Sequence, residues 1–112
     1  MGYSMEDKEL FLLHGEIKSP PFSRKAQDEV GFLLRLLQQG EMLSLPHSRP
    51  TPSIGPRCHE LRVRDESANW RIIYRIDEDT ILVAEVFSKK TEQTPPAVIS
   101  NCRKRFSDYD AA

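Results

Sequence analysis

The residues with the clearest chemical potential are arginines that cluster in one stretch of the chain. Between positions 57 and 75 there are five arginines against three carboxylates. Guanidinium groups offer forked donors that suit phosphate oxygens, and they stay protonated at any working pH. A nucleic-acid backbone is therefore a candidate ligand, and the competing interpretation is a solvated surface with weak ion pairs. The residues concerned are Arg57, Arg62, Arg64, Arg71 and Arg75, with Glu60, Asp65 and Glu66.

Histidines and cysteines add no recognisable catalytic or metal motif. His14, His47 and His59 have no partner pattern for acid–base work, and the predicted position of His59 on the core side of a strand favours a structural role. Cys58 and Cys102 are 44 positions apart and are expected to be buried thiols. No nucleophile elbow, phosphate loop or dinucleotide motif is present, so no cofactor and no metal is implied.

Composition limits the class of protein. The 112 residues predict one domain that spans positions 1–112. The formal net charge is −1, so any attraction to nucleic acid has to be local rather than global. No apolar run approaches the length of a membrane span, and the first seven residues lack signal-peptide features. We expect a cytoplasmic protein that makes no membrane contact.

The N-terminal half predicts a strand, a helix and a loop. Residues 8–17 suit a first strand that ends before the Pro20–Pro21 pair. A stripe of apolar residues at helical spacing predicts a helix from Phe22 to Gln39, with Ser19 or Ser23 as its cap. Five prolines and glycines between Glu41 and Cys58 predict a long loop without a regular element longer than a turn or two.

Three segments with period-two alternation then predict an antiparallel meander, starting at His59, Asn69 and Thr80. The first two segments are expected to pair with Asp65 opposite Trp70. This register places Arg64 across from Arg71 and Glu60 across from Arg75. The second and third segments are expected to pair with Ile76 opposite Ile81. Two like charges about 5 Å apart destabilise a sheet unless an anion lies between them. The apolar face predicted by this register carries Leu61, Val63, Trp70, Ile72, Tyr74, Ile76, Ile81, Val83 and Phe87. The opposite face carries Glu60, Arg62, Arg64, Arg71, Arg75 and Lys90 beside Ile73, Leu82, Ala84 and Val86.

A final helix is predicted from Thr94 as cap, with a proline in its first turn, to about Asp108. The fold class is therefore α+β: an antiparallel sheet of an N-terminal strand plus a three-stranded meander, with the helices packed on one face. Phe32 and Leu36 lie off the apolar stripe of the first helix. They either contact a partner protein or pack against the long loop or the last helix.

The ordered segments PPFSRKAQ, PHSRP, SIGPRCHELRVRD, NWRIIYRID and VFSKKTEQTP resemble the RelE/ParE superfamily of bacterial type II toxins, in particular its phage-derived HigB-like branch. The resemblance covers nearly the whole chain and implies a RelE-like fold. RelE and HigB toxins are ribosome-dependent mRNA endonucleases, whereas ParE toxins inhibit DNA gyrase, and both are silenced by an antitoxin. The resemblance therefore implies three partners: a helix-turn-helix antitoxin, the ribosome and mRNA.

In the RelE branch, basic residues on the concave sheet face promote a metal-free attack of the ribose 2′-hydroxyl on its own phosphate. Position by position, the resemblance implies catalytic roles for Arg62, Arg64, Arg71 and Lys90. Arg75, Lys89 and His59 are further candidates for nucleic-acid binding, although an ideal strand points Lys89 to the opposite face.

The chain departs from RelE at two positions. The RelE tyrosine after the fourth strand falls near Pro96, so the acid–base group is open between Lys90, His59 and His47. Glu60 occupies a position that is basic in RelE, which reduces the positive field. A ParE-like gyrase inhibitor and a decayed toxin that only binds its antitoxin therefore stay as alternatives.

Overall fold

The computed structural model describes residues 7–13, 22–66 and 68–112. Within these ranges, five strands form one mixed sheet in the order β1-β5-β4-β3-β2, accompanied by two helices, which confirms the predicted α+β class. Neither helix in the described part of the chain is long and apolar enough to cross a membrane. The elements are β1 (Glu9–Leu12), α1 (Arg24–Gln38), β2 (Ser48–Pro50), β3 (Cys58–Arg64), β4 (Asn69–Ile76), β5 (Thr80–Ser88) and α2 (Pro96–Ala111).

The first helix begins and ends close to where its pattern predicted. The Ser23 hydroxyl accepts the Ala26 N–H at 3.1 Å, which identifies the N-cap, while Ser19 lies outside the described residues. Gly40 follows the helix with a φ of +91°, a conformation that glycine adopts without strain. Asp65, from the turn after β3, accepts the Ser23 N–H at 2.9 Å and so joins the helix start to the sheet.

Both edges of the sheet differ from the prediction. β1 pairs with β5 in parallel, so the sheet is mixed rather than fully antiparallel, and residues 14–17 of the predicted strand lie outside the described residues. The proline-rich segment, predicted to be a loop, contains the short strand β2. Pro50 is compatible with that strand because an edge position does not require its missing N–H. Thr94 makes no capping bond to α2; Pro95 stands at the cap and Pro96 begins the helix.

The three-stranded meander is confirmed, but its pairing is corrected in two places. Arg62, not Arg64, lies opposite Arg71, because the β3–β4 register is shifted by two residues from the predicted one. Ile76 does lie opposite Ile81, but a bulge between Ile73 and Tyr74 then shifts the β4–β5 pairing by one residue. A one-residue shift exchanges the faces of all later side chains of β5.

That exchange reassigns the end of β5. Val86 packs on the face of the sheet that α1 covers, and Phe87 packs on the opposite face, against α2. The prediction had these two faces exchanged. Lys89 continues the ladder, since its N–H donates to the Asn69 carbonyl at 2.8 Å. The side chain of Lys89 therefore shares a face with Arg71, where the ideal-strand pattern placed Lys90.

The two helices pack on opposite faces of the sheet, which corrects the prediction that both lie on one face. One core cluster joins Ala26, Leu33 and Leu37 of α1 to one face, and a second joins Cys102 and Phe106 of α2 to the other. The physical reason is that Ile73, Leu82 and Ala84 form a second apolar surface on the face of the arginines. The α1 face contributes Leu61, Val63, Trp70, Ile72, Tyr74, Ile81 and Val83.

Candidate nucleic-acid interface

A fully buried carboxylate lies at the centre of the arginine-bearing face. Glu60 is in the middle of β3 and its side chain is 0% exposed. The predicted register placed Glu60 across from Arg75, but Glu60 lies across from Ile73, and Arg75 lies across from Cys58. A buried carboxylate is costly unless cations surround it, so its neighbours determine what the site does.

Four cationic side chains surround one oxygen of Glu60. Two of them are almost completely buried, since the Arg71 side chain is 10% exposed and that of Lys89 is 5% exposed. The other two are accessible to a ligand, at 43% for Arg49 and 32% for Arg62. The distances to Glu60 Oε1 are 3.2 Å from Arg49 Nε, 3.5 Å from Arg71 Nε, 3.5 Å from Lys89 Nζ and 4.0 Å from Arg62 Nε.

These four cations come from β2, β3, β4 and the end of β5. Arg49 of β2 lies directly across from Glu60. Arg62 lies two residues beyond Glu60 on β3 and is the direct partner of Arg71 on β4. The bulge in β5 brings Lys89 to the same face. The cluster therefore depends on the register of three strand pairs at once.

The groove above Glu60 keeps an excess of positive charge. It has a volume of about 520 Å³, and its lining contributes five cationic side chains against the carboxylate of Glu92, with Glu60 beneath. Arg71 Nε is buried 3.5 Å from Glu60 Oε1 and makes no hydrogen bond within the described structure, so the carboxylate holds this guanidinium by charge alone. The lining residues are Arg49, Arg62, Asn69, Arg71, Lys89, Lys90, Thr91 and Glu92.

Burial lowers the pKa values of the two inner cations. Burial, and next the neighbouring Arg62, lowers the pKa of the Arg71 guanidinium, which nevertheless remains charged. Burial also lowers the pKa of the Lys89 ammonium, against the opposing effect of Glu60. Of these two inner cations, Lys89 is the one that can exchange a proton, because arginine stays protonated.

Three predicted site residues lie outside this groove. Arg64 is exposed at the end of β3, on the groove face but not among the lining residues. Arg75 is 7% exposed and binds Asp77 and Asp110, which fastens the end of α2 to the sheet. The ring of His59 lies on the α1 face and stacks on Tyr74, with 5.5 Å between ring centroids. Lys90 is exposed and lines the groove beside the buried Lys89.

Arg49 is the site residue that sequence reasoning missed. It lies within the His47–Pro50 segment, which was predicted to be a loop. Ser48 is buried while Arg49 faces the groove, as expected for an edge strand, but three residues are too few for that alternation to be recognised in the sequence. Pro50 does not exclude a strand here, because an edge strand leaves one row of backbone N–H groups unpaired.

The two cysteines and the described acidic residues offer no further site. Cys58 and Cys102 are free and buried, as predicted, and burial raises their pKa values to about 11 and about 12. Within residues 7–13, 22–66 and 68–112, no three His, Cys, Asp or Glu side chains come together in a way that could hold a metal ion.

Comparison with known proteins identifies a related family. The family model described as "Phage derived protein Gp49-like (DUF891)" matches residues 20–107, which is well over half of the chain. A comparison with curated proteins finds no match. The matched range includes α1, the four strands β2 to β5 and most of α2, and therefore all the residues of the cationic groove.

Proposed function

Since the chain belongs to the Gp49-like family, a phage-derived toxin-like family of the RelE/ParE-like toxin group, we propose that it is the toxin of a type II toxin–antitoxin pair that cleaves mRNA on the ribosome. The same proposal includes its assignment to the HigB-like branch. The observation that carries it is the cluster of Arg49, Arg62, Arg71 and Lys89 around the single buried carboxylate of Glu60. This cluster has more positive charge than the carboxylate neutralises, which suits a phosphate group.

The chemistry that fits is internal transesterification of RNA. The ribose 2′-oxygen attacks the adjacent phosphorus, the bond to the 5′-oxygen breaks, and a 2′,3′-cyclic phosphate forms. The attacking oxygen, the phosphate and the leaving oxygen all belong to the RNA, so the protein supplies charge and proton transfer. Arg62 and Arg71 would stabilise the additional negative charge of the pentacoordinate transition state. Arg64, which is exposed beside the groove, and Lys90, which is exposed and lines it, would contact flanking phosphates.

Lys89 is the group that we propose for proton transfer. Its pKa is lowered by burial, and it lies in the groove next to Arg71 and Glu60. In its neutral form it would accept the 2′-hydroxyl proton, while the leaving 5′-oxygen takes a proton from solvent at the open mouth of the groove. The ring of His59 lies on the other face of the sheet, which makes it a poorer candidate.

A toxin-like family implies an antitoxin partner, and we propose that this partner carries a helix-turn-helix domain. Phe32 of α1 is 63% exposed and is a candidate contact, whereas Leu36 packs partly against the α1 core. A ribosomal target would place the activity in the cytoplasm, where mRNA is translated.

Expression in bacteria with mapping of mRNA 5′ ends tests the proposal. The wild-type chain should arrest translation and cut translated messages, and Arg62→Ala or Arg71→Ala should reduce cutting by about 10²-fold. Arg35→Ala is the matched control, because Arg35 is an exposed arginine of α1 that pairs with Asp7. Arrested cells with intact messages would refute the nuclease; an accompanying DNA-damage response would select gyrase inhibition. Harmless expression with tight antitoxin binding would identify a decayed toxin.

A further inference from the structure

A second cleft lies at the edge strand β2, on the α1 face of the sheet and therefore around that edge from the cationic groove. Its walls are apolar and come from Leu43, Leu45 and Pro50, with His59 also lining it. Its volume is about 520 Å³, which lies in the range of sites for small molecules. Leu45 is 60% exposed, so an apolar surface that would ordinarily be covered is open to a ligand.

His59 gives this cleft a flat aromatic element. Its ring stacks on Tyr74 with an interplanar angle of 19°, and the Tyr74 hydroxyl is held by a 2.6 Å hydrogen bond with Ser48. Burial lowers the pKa of His59, so the ring is neutral at neutral pH. His59 Nδ1 is itself buried and has no hydrogen-bond partner in the described structure, so what the residue offers the cleft is the flat surface of its ring. Such a surface suits an uncharged planar ring that stacks on it.

Arg49 connects the cleft to the cationic groove. Its Nε lies 3.2 Å from Glu60 Oε1 in the groove, and the same residue lines the apolar cleft. Among the described residues that line the cleft, Arg49 is the ionised group and there is no carboxylate. A ligand that is planar and neutral at one end and anionic at the other therefore fits the two sites together.

We propose that the cleft formed by Leu43, Leu45, Pro50 and His59 holds an unpaired nucleobase of the RNA strand whose phosphates lie in the cationic groove. Single-stranded RNA is commonly recognised in this manner, with bases turned out of the strand onto aromatic and apolar side chains. This inference rests on the proposed function and adds to it a site that selects the cleavage position. Arg49 would contact the phosphate that joins the selected nucleotide to the rest of the strand.

Mapping of cleavage positions in cells tests the proposal. The wild type should favour one base, or one class of base, at a constant distance from the cut. In Leu45→Ser and His59→Ala, the enrichment of the favoured base at cleavage sites should fall about fivefold or more. This is the ratio expected when one base loses its stacking surface. Leu45→Ser removes an exposed side chain, so we expect the fold to be retained. Met42→Ser is the matched control, since Met42 is 74% exposed and is not among the residues that line the cleft.

The outcomes separate this proposal from the one on which it rests. A wild type that cuts no message overturns both. Cuts without a base preference, or with a preference that both cleft variants retain, overturn the nucleobase site and leave the nuclease standing. Cleft variants that keep the base preference but escape neutralisation by the antitoxin assign the cleft to the antitoxin, which also overturns the proposal.

Discussion

Arg62 of β3 and Arg71 of β4 are direct cross-strand partners, so two guanidinium groups share one position of the sheet face. Like charges directly opposite each other destabilise a sheet. Here the buried Glu60 lies within 4.0 Å of both and offsets part of that repulsion. One carboxylate cannot neutralise the four cations that approach it, and the remaining charge is what makes the groove receptive to phosphate.

Replacing the buried carboxylate should destabilise the protein through its cations. Glu60→Gln keeps the side-chain shape but leaves Arg71 and Lys89 buried without an anion. We expect the free energy of unfolding to fall by about 3 kcal/mol in chloride buffer. Urea denaturation measures this, and Asp108→Asn is the control, because it breaks an exposed pair with Lys104 and should cost under about 0.5 kcal/mol.

Sulfate distinguishes an anion site from a general electrostatic effect. At matched ionic strength, sulfate should stabilise Glu60→Gln more than it stabilises the wild type, since a doubly charged anion binds the folded cations. Equal stability of the two proteins in chloride, with no selective effect of sulfate, would contradict the described charge cluster.

The bulge in β5 predicts unequal roles for two adjacent lysines. Lys89→Met should reduce mRNA cleavage by about 10²-fold or more, whereas Lys90→Met should reduce it by less than about tenfold. Neutral Lys89 becomes more abundant as pH rises through its lowered pKa, so wild-type cleavage should rise with pH in that range. Lys89→Arg should lose that rise, because arginine stays protonated. A pH profile that Lys89→Arg leaves unchanged would exclude Lys89 as the proton acceptor.

Acid should remove a link between the sheet and α1. Asp65 accepts the N–H groups of Ser23 and Glu66, and these bonds hold its pKa at about 2, below its ordinary 3.8. A carboxylate with a lowered folded-state pKa stabilises the protein above its unfolded pKa and ceases to do so as pH falls through the folded one. Asp65→Asn should therefore be less stable than the wild type at neutral pH, with the difference disappearing between 3.8 and about 2. Denaturant titrations across that range test this, with Asp28→Asn on the exposed surface of α1 as the control.

Arg75 is expected to stabilise α2 rather than to bind RNA. Its guanidinium bonds Asp77 and Asp110 and lies 5.1 Å from the centroid of the Phe106 ring. Arg75→Met should lower the free energy of unfolding by about 2 kcal/mol, because it removes the charge-assisted hydrogen bonds to Asp77 and Asp110. Thermal melts measure the loss, and cleavage per folded molecule should not change below the melting transition. Reduced cleavage by a fully folded Arg75→Met protein would restore the nucleic-acid role first predicted for this residue.

Much of the site could be predicted from side-chain alternation. The period-two pattern located β3, β4 and β5 and put Arg62 and Arg71 on one face of the sheet. The predicted register was wrong by two residues, yet the faces stayed correct, since a shift of two preserves the alternation. The α1 helix and its Ser23 cap were equally readable, because both depend on residues close together in the chain.

The contacts that give the groove its chemistry involve residues far apart in the chain. Arg49 reaches Glu60 through an edge strand only three residues long, too short for a periodic signal. Lys89 takes the place predicted for Lys90 because a bulge exchanges the faces of β5. The alternation of apolar and polar residues that precedes the bulge gives no sign of it. The side of the sheet that α2 covers depends on packing against Ile73 and Ala84. Local pattern indicates which way a side chain points, whereas pairing partners depend on the energy of the whole sheet, so the position of Glu60 among four cations emerges only when all the strands pack together.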